Sequence, residues 1–539
     1  MKIFLRFIVA VTVLFSAGIT SGRAAQSLPE MIDALSTGKI KDRAGQVEAL
    51  LKTKDPRLVP VFQALTEGTL YYNRKSGKVY QVKEQGDTTV LLDPLSGAAT
   101  QEAFSKKTYK KVKVNNKLRR MLRGAMAELT LFSPDEALRF TAAQALGKGA
   151  NPDNYELVAK ALAEETSKDV RQALVIAGAS MVLKGASQEE DVILAAIQSL
   201  KDEGTQEALG ALNSFEAKAE GAQKQAALAA ITKIEKNIAF WNSLQNVWYG
   251  LSLGSVLLLA AIGLAITFGV MGVINMAHGE MVMLGAYTTY VVQELIRTFY
   301  PEAFNYSLAL ALPLAFLVAG AVGLIMERGI IRFLYGRPLE TLLATWGVSL
   351  VLQQSVRSIF GPTNKEVGNP DWMSGAFELG GLSLTANRLW IMAFSLVVFA
   401  VLLFVLRRSF FGLKMRAVTQ NRAMASSMGI RTPWVDAFTF ALGSGIAGMA
   451  GVALSQISNV SPNLGQTYII DSFMVVVFGG VGNLWGTLVG AFTLGVANKF
   501  LEPYSGAVLA KILTLVFIVL FIQKRPRGLF AQKGRAVEQ

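Results

Sequence analysis

The stretch GLKMRAVTQNRAMASSMGIR, residues 412–431, decides how the rest of the chain is read. It carries Lys414, Arg416, Arg422 and Arg431 and no acidic residue. Apolar runs flank it, 389–406 before and 437–454 after. A basic segment between two membrane-length runs belongs on the cytoplasmic side. Its spacing also predicts a short helix, with Val418, Ala425 and Met428 on one face and Gly429 placed to end it. One reading is a solvated, positive-inside loop. The other is a docking helix for a cytoplasmic partner.

Working outward, the composition splits the chain. At 539 residues more than one domain is expected. Hydrophobic residues make up 52% and mean hydropathy is +0.37, but the averages hide two regions. Before about residue 245 the chain is rich in Ala, Lys and Glu. After it, charges thin out and Gly, Leu, Val, Phe and Met dominate. Net charge is +14, yet the positive residues fall largely on membrane-proximal loops. There they serve orientation and anionic headgroups, so no nucleic-acid partner is expected. Without cysteine there is no disulfide, thiolate chemistry or Cys-based metal site, and one histidine, His278, is too few for a metal cluster.

Three stretches carry a family resemblance: GVMGVINMAHGEMVMLGAY at 269–287, the basic loop, and IIDSFMVVVFGGVGNLWGTLVGA at 469–491. Ala417, Asn421, Ala425, Gly429 and Ile430 sit as in the ATPase-docking loop of ABC importer permeases. More narrowly, residues 244–530 resemble the branched-chain amino acid permease family. That resemblance implies two ABC ATPase subunits, a second permease subunit and a periplasmic substrate-binding protein as partners, with the bilayer as solvent. Lys414, Arg416, Ala417, Asn421, Arg422, Ala425 and Gly429 would form the ATPase-docking loop. No G-x-x-x-x-G-K-[ST] pattern occurs, Gly77-Lys78 being followed by Val79. The expectation is therefore a transport subunit, not an enzyme, with no cofactor of its own and ATP hydrolysed by its partners.

In chain order, residues 1–25 have the form of a secretory signal peptide. Lys2 and Arg6 precede an apolar stretch at 7–15, and small residues around 22–25 offer a cleavage end. An uncleaved N-terminal anchor is the alternative. Residues 26–243 then read as an extracytoplasmic, mostly helical domain. Within it, 26–64 reads as two helices, the second starting at Pro56, and LYYNRKSGKVYQV as a small β-hairpin around Lys75-Ser76-Gly77. TTVLLDPLSG offers another short strand, and 106–123 a basic helix face. Residues 133–236 show a loose helical repeat at about 35 residues, suggesting HEAT-like hairpins. Such a solenoid binds partners or serves as a spacer.

From residue 244 to 530 the expected fold is an all-α polytopic membrane bundle, with 531–539 a cytoplasmic tail. Seven spans are expected, at 247–268, 273–295, 306–326, 342–360, 389–406, 435–457 and 507–522. Between the last two, 466–498 is broken at Gly479-Gly480-Val481-Gly482-Asn483 and reads as a re-entrant pair or as two short helices meeting at a glycine turn. Arg328, Arg332 and Arg337, the loop at 407–431, and Lys524, Arg525 and Arg527 should all face the cytoplasm. Counting back through three spans puts residues 26–244 outside, as the leader also requires. The expected location is a bacterial inner membrane.

Polar residues at membrane depth are candidates for the translocation path. They are Asn275, His278 and Glu280 between the first two spans, Thr345, Gln353 and Gln354 on the fourth, and Asp471 and Asn483 about the broken pair. Asn275, His278 and Glu280 line either a loop or a discontinuous helix, with a His278–Glu280 pair left open. Gln353 and Gln354 cannot both face lipid comfortably, so at least one points inward. Gly443, Gly451, Gly479, Gly480 and Gly482 suit close helix packing. The polar set leans neutral, which suits urea; a branched-chain amino acid is the alternative solute. A membrane-anchored solenoid receptor or scaffold is the rival of another class.

Overall fold

The computed structural model describes residues 27–530, apart from 38–39, 54, 56, 86–87, 101–103 and 106. The expected leader, the Pro56 helix start and the tail at 531–539 lie outside the described residues. The chain forms two compact units, residues 1–238 and 239–539.

The first unit opens with three helices, α1 (Leu28–Asp33), α2 (Ile40–Leu51) and α3 (Leu58–Glu67), not two. In α3, Leu58, Val61, Phe62 and Leu65 recur at helical spacing and are wholly buried. Four strands follow: β1 (Leu70–Asn73), β2 (Val79–Gln85), β3 (Thr88–Leu92) and β4 (Tyr109–Lys111). They form one antiparallel sheet in the order β3-β2-β1-β4. The expected hairpin is β1–β2, with Tyr71 opposite Tyr80. Its turn is held by Asn73, whose Oδ1 accepts from Lys75 N at 2.9 Å. The hairpin is thus half of a larger sheet. The segment expected as one basic helix face divides into β4 and α4 (Asn116–Thr130). Asn115 supplies the break, its Oδ1 accepting from Leu118 N at 2.8 Å as an N-cap.

Five further helices lie in this unit: α5 (Glu136–Gly149), α6 (Tyr155–Glu164), α7 (Lys168–Met181), α8 (Glu190–Glu203) and α9 (Gln206–Glu216). Polar residues start them, as their sequence suggests. Asp135 accepts from Ala137 N at 2.9 Å, and Thr205 Oγ1 from Ala208 N at 3.2 Å. Leu146, Val158, Leu174 and Met181 join one core here, and Ile197, Leu200 and Leu212 another. The helix α10 (Gly221–Met271) gives its first residues to the second of these cores.

In the second unit α10 is the central element: every side chain from Val256 to Ala265 is buried. Around it lie α11 (His278–Phe299), α12 (Ser307–Gly329), α13 (Pro338–Phe360), α14 (Ala386–Arg408), the loop helices α15 (Phe410–Gln420) and α16 (Arg422–Ser427), α17 (Thr432–Ser455), α18 (Leu464–Gly479) and α19 (Leu484–Lys524). A two-stranded hairpin, β5 (Ala376–Leu379) with β6 (Leu382–Thr385), precedes α14.

Among the described residues five helical segments are long and apolar enough to cross a membrane: Gly221–Met271, Pro301–Phe333, Ala386–Arg408, Thr432–Ser455 and Leu484–Lys524. Helices α11 and α13 have the length, at 22 and 23 residues, but carry more polar groups. Length and apolarity therefore single out five of the expected spans, with α11 and α13 of spanning length beside them. The span expected from residue 273 begins at His278, because Gly272 turns the chain at φ 68° and 272–277 is not helical. Helix α18, 16 residues long, reaches about 24 Å, short of a hydrocarbon core of about 30 Å. Helix α19 breaks at Gly506, three residues beyond Pro503. Outward-facing side chains on α13, α14 and α19 are apolar and exposed, Val351, Phe404, Val508 and Leu520 among them. Such faces suit hydrocarbon rather than water.

Candidate functional site

The basic loop is two helices, not one. Ser409 Oγ accepts from Gly412 N at 3.0 Å and starts α15. Asn421 then leaves helical geometry, at φ −151° and ψ 101°, and its Oδ1 accepts from Met424 N at 2.9 Å to cap α16. An asparagine that can bond the chain ahead of it favours a cap over a helix interior. Gly429, at φ 86°, takes the left-handed turn that ends α16. Met415, Val418 and Ala425 point into the core. Met428 does not share their face; it is 77% exposed.

Lys414, Arg416 and Arg431 are exposed, and Ala417 is half-buried. Arg416 donates to the Leu406 carbonyl at the end of α14, where a cation complements the helix terminus. Arg422 pairs with Asp436, a carboxylate buried in α17. It also lies over the Tyr335 ring, 4.7 Å from its centre. The Tyr335 hydroxyl donates to Glu327 of α12 at 2.7 Å, and Arg328 stacks on Trp434 at 4.0 Å. The loop is thereby clamped to α12 and α17. Its outer surface exposes Phe410, Leu413, Met424 and Met428, four large apolar side chains beside the cations.

The second set lies inside the bundle. Asn275, His278 and Glu280 are enclosed where α11 begins, each at most 1% exposed. Asn275 lies in the non-helical stretch 272–277, and His278 and Glu280 in the first turn of α11. His278 and Glu280 do not pair: His278 Nε2 donates to the Ala260 carbonyl at 2.9 Å, and Glu280 accepts from Ser349 Oγ at 3.0 Å. Asn275 Nδ2, His278 Nδ1 and Glu280 Oε2 have no hydrogen-bond partner among the described residues. Thr345 accepts from Met276 N at 3.1 Å and donates to the Thr341 carbonyl at 2.8 Å. The fold thus gathers Asn275, Glu280, Thr345 and Ser349 where the start of α11 meets α13.

Other candidates fall elsewhere. Gln353 points inward and donates to Asn463 at 3.2 Å, while Gln354 is exposed on the outer face. Asp471 is paired with Lys511 of α19 at 2.8 Å. Asn483 caps α19, accepting from Trp485 N at 3.1 Å, and its amide donates to the Phe530 carbonyl. Asp436 and Lys511 escaped the sequence reading. The signal was present, since each is a lone charge in an apolar run.

The glycines lie at backbone contacts. Gly443 meets Gly263 of α10, and Gly451 meets Val282 of α11. Gly479 faces Gly486 across the broken pair, Gly480 meets Phe530, and Gly482 meets Gly269.

A bundle of apolar helices with a buried polar interior and an anchored cationic loop defines the class of polytopic transport subunits. The comparisons give the family. Residues 246–522 match the family described as the branched-chain amino acid transport system / permease component, and the chain belongs to it. It is 30% identical over 296 residues to the high-affinity branched-chain amino acid transport system permease protein LivH of Salmonella typhimurium, covering 54% of this chain and 96% of that relative. Its identity to the corresponding permease protein BraD of Pseudomonas aeruginosa is also 30%, over 54% of this chain and 97% of that one. The ribose import permease protein RbsC of Escherichia coli is 24% identical over 51% of this chain and 82% of its own length. No solved structure matches. These relatives are named as permease proteins of transport or import systems.

Proposed function

We propose that the chain is the membrane permease subunit of an ATP-driven importer, driven by two separate ATPase subunits at the loop 410–431. One observation carries this reading. Phe410, Leu413, Met424 and Met428 are exposed beside Lys414, Arg416 and Arg431, on helices whose opposite face is locked to the bundle. Apolar side chains held out on a rigid, polar-ended loop call for a protein partner. Flexible methionines suit the groove of such a partner. The positive charge of this loop, of Arg328 to Arg337 and of the end of α19 supports a cytoplasmic side for all three. Residues 26–243 then lie outside, where a binding protein delivers the solute to a bundle shared with a second permease subunit.

Family membership favours a branched-chain amino acid as the solute, after the names of LivH and BraD. A second reading, urea, is favoured by the interior: Asn275, Thr345, Ser349 and Gln353 offer amide and hydroxyl groups rather than a fixed charge for a carboxylate. Purifying the complex and following uptake of labelled leucine and urea separates the two. Met424→Asp with Met428→Asp should release the ATPase subunits and abolish uptake of either solute. Retention of the ATPases by that variant would end the docking reading. A chain that binds only extracytoplasmic protein would establish a scaffold instead.

A further inference from the structure

The helices of the first unit enclose a groove with a volume of about 760 Å³. It is walled by α5, α7 and α9 and the turns at their ends, while α6 and α8 contribute no lining residue. Helix α5 packs on α7, and α7 on α9.

The lining follows the helical repeat. Lys148, Lys184 and Lys218 recur at about 35 residues, where the three helices end. About one turn before each stand Gln144, Ser180 and Ser214. A further turn back stand Phe140, Ile176 and Gly210. The groove thus carries a cationic row, a row of amide and hydroxyl groups, and an apolar row, each crossing all three helices. Its far edge is acidic, with Asp169 and Glu207 in the first turns of α7 and α9. Lys184 donates to the Gly149 carbonyl at 3.0 Å, as a lysine at a helix end can. Lys148 and Lys218 are exposed and have no side-chain partner among the described residues.

The spacing selects the shape of an occupant. Packed helices lie about 8–10 Å apart, so the rows advance by that step. A polyproline II segment completes a turn in three residues and about 9 Å. A β-strand returns to the same face every two residues, about 7 Å, and falls out of step. We propose that the groove binds an acidic, proline-containing segment of another polypeptide, extended as polyproline II with Asp or Glu at every third position. One face sets its carboxylates on Lys148, Lys184 and Lys218. A second lays apolar side chains on Phe140 and Ile176, and the main chain between them bonds Gln144 and Ser214. Gly210 leaves room for it, since a Cβ there would meet nothing. A bilayer surface is too flat to enter this groove, and Asp169 and Glu207 would repel its anionic headgroups. The proposal is independent of the importer reading, because neither an ATPase nor a transported solute takes part.

The full chain in neutral-lipid nanodiscs is titrated against a fluorescein-labelled peptide of four Glu-Pro-Ala repeats, with binding read as anisotropy. The acidic repeat should bind more tightly than a Gln-Pro-Ala repeat, and severalfold more tightly than a peptide of the same composition with its glutamates in one block. Lys148→Glu with Lys218→Glu should raise the Kd about tenfold, the worth of two exposed ion pairs. Lys148→Arg with Lys218→Arg should leave it unchanged. An unaltered melting temperature shows that the reversed variant is folded; should it fall, Lys148→Gln with Lys218→Gln makes the same test by neutralisation. Equal affinity for the blocked peptide, or affinity unmoved by the lysine variants, would overturn the proposal. Displacement of the peptide by phosphatidylglycerol vesicles would give the groove to a membrane surface, and self-association lost in the lysine variants would give it to a second copy of this chain. Either result would replace the acidic segment.

Discussion

Glycine behaves differently in the two units. In the first, Gly124, Gly149 and Gly210 have open space where a side chain would stand. The cores there are built from Phe, Leu, Val and Ile packed between elements. In the second, Gly263, Gly279, Gly285, Gly443 and Gly451 each face the backbone of another helix. The lesson concerns solvent. Water drives large apolar side chains together, so a soluble unit gains by bulk. Hydrocarbon offers no such drive between helices, so a membrane bundle gains by bringing backbones close.

The strongest test of this contrast is one methyl group placed in each unit. A Cβ at Gly285 would overlap the Gly448 carbonyl oxygen, so Gly285→Ala should cost about 3 kcal/mol or more and collapse the yield of monodisperse protein. In α9, Gly210→Ala meets nothing and should stabilise the first unit by up to about 1 kcal/mol. Equal thermal shifts in the two variants would refute the distinction.

Charges sharpen it at a smaller scale. Arg422→Ala strands the Asp436 carboxylate, whose side chain is 1% exposed, and should cost about 2 kcal/mol. Adding Asp436→Asn should recover most of that loss in the melting temperature. If the double variant is no better than the single one, the pair is not what holds the loop to α17.

The smallest effect belongs to the first unit. The Arg139 guanidinium, 2.8 Å away, holds the Glu165 carboxyl down to about 2 from an ordinary value of 4.5. A depressed carboxyl pKa gives stability that is full above the unfolded value and fades as pH falls toward the folded one. The contribution should therefore vanish between pH 4.5 and 2. Hydrogen exchange in residues 136–181 should rise across that window in the native chain and rise less in Glu165→Gln. An unchanged acid dependence in the variant would remove the pair from the account.

Much of this was legible in sequence because it is local. Apolar run length located the membrane half, Ser, Asp and Thr marked helix starts, and Gly429 marked an end. Asn421 shows the limit. Its position in the motif was plain, but whether it continued a helix or capped a new one depended on the inward pull of Met415 and Ala425 from either side. Strand β4 was unreadable for a similar reason: Tyr109-Lys110-Lys111 extends only because the edge of β1 is there to pair with it.

The candidate site divides the same way. Residue type showed that Glu280, Asp471 and Asn483 were unusual at membrane depth. It could not show that Asp471 meets Lys511 forty residues on, that Asn483 caps a helix, or that Glu280 turns to Ser349 and away from His278. By itself the amino-acid order determined an apolar helical half, a cationic loop and the family. Which buried groups found partners was decided by tertiary packing. The reason is that a hydrogen bond across distant segments depends on distance and direction in space, and neither is written in the order of residues.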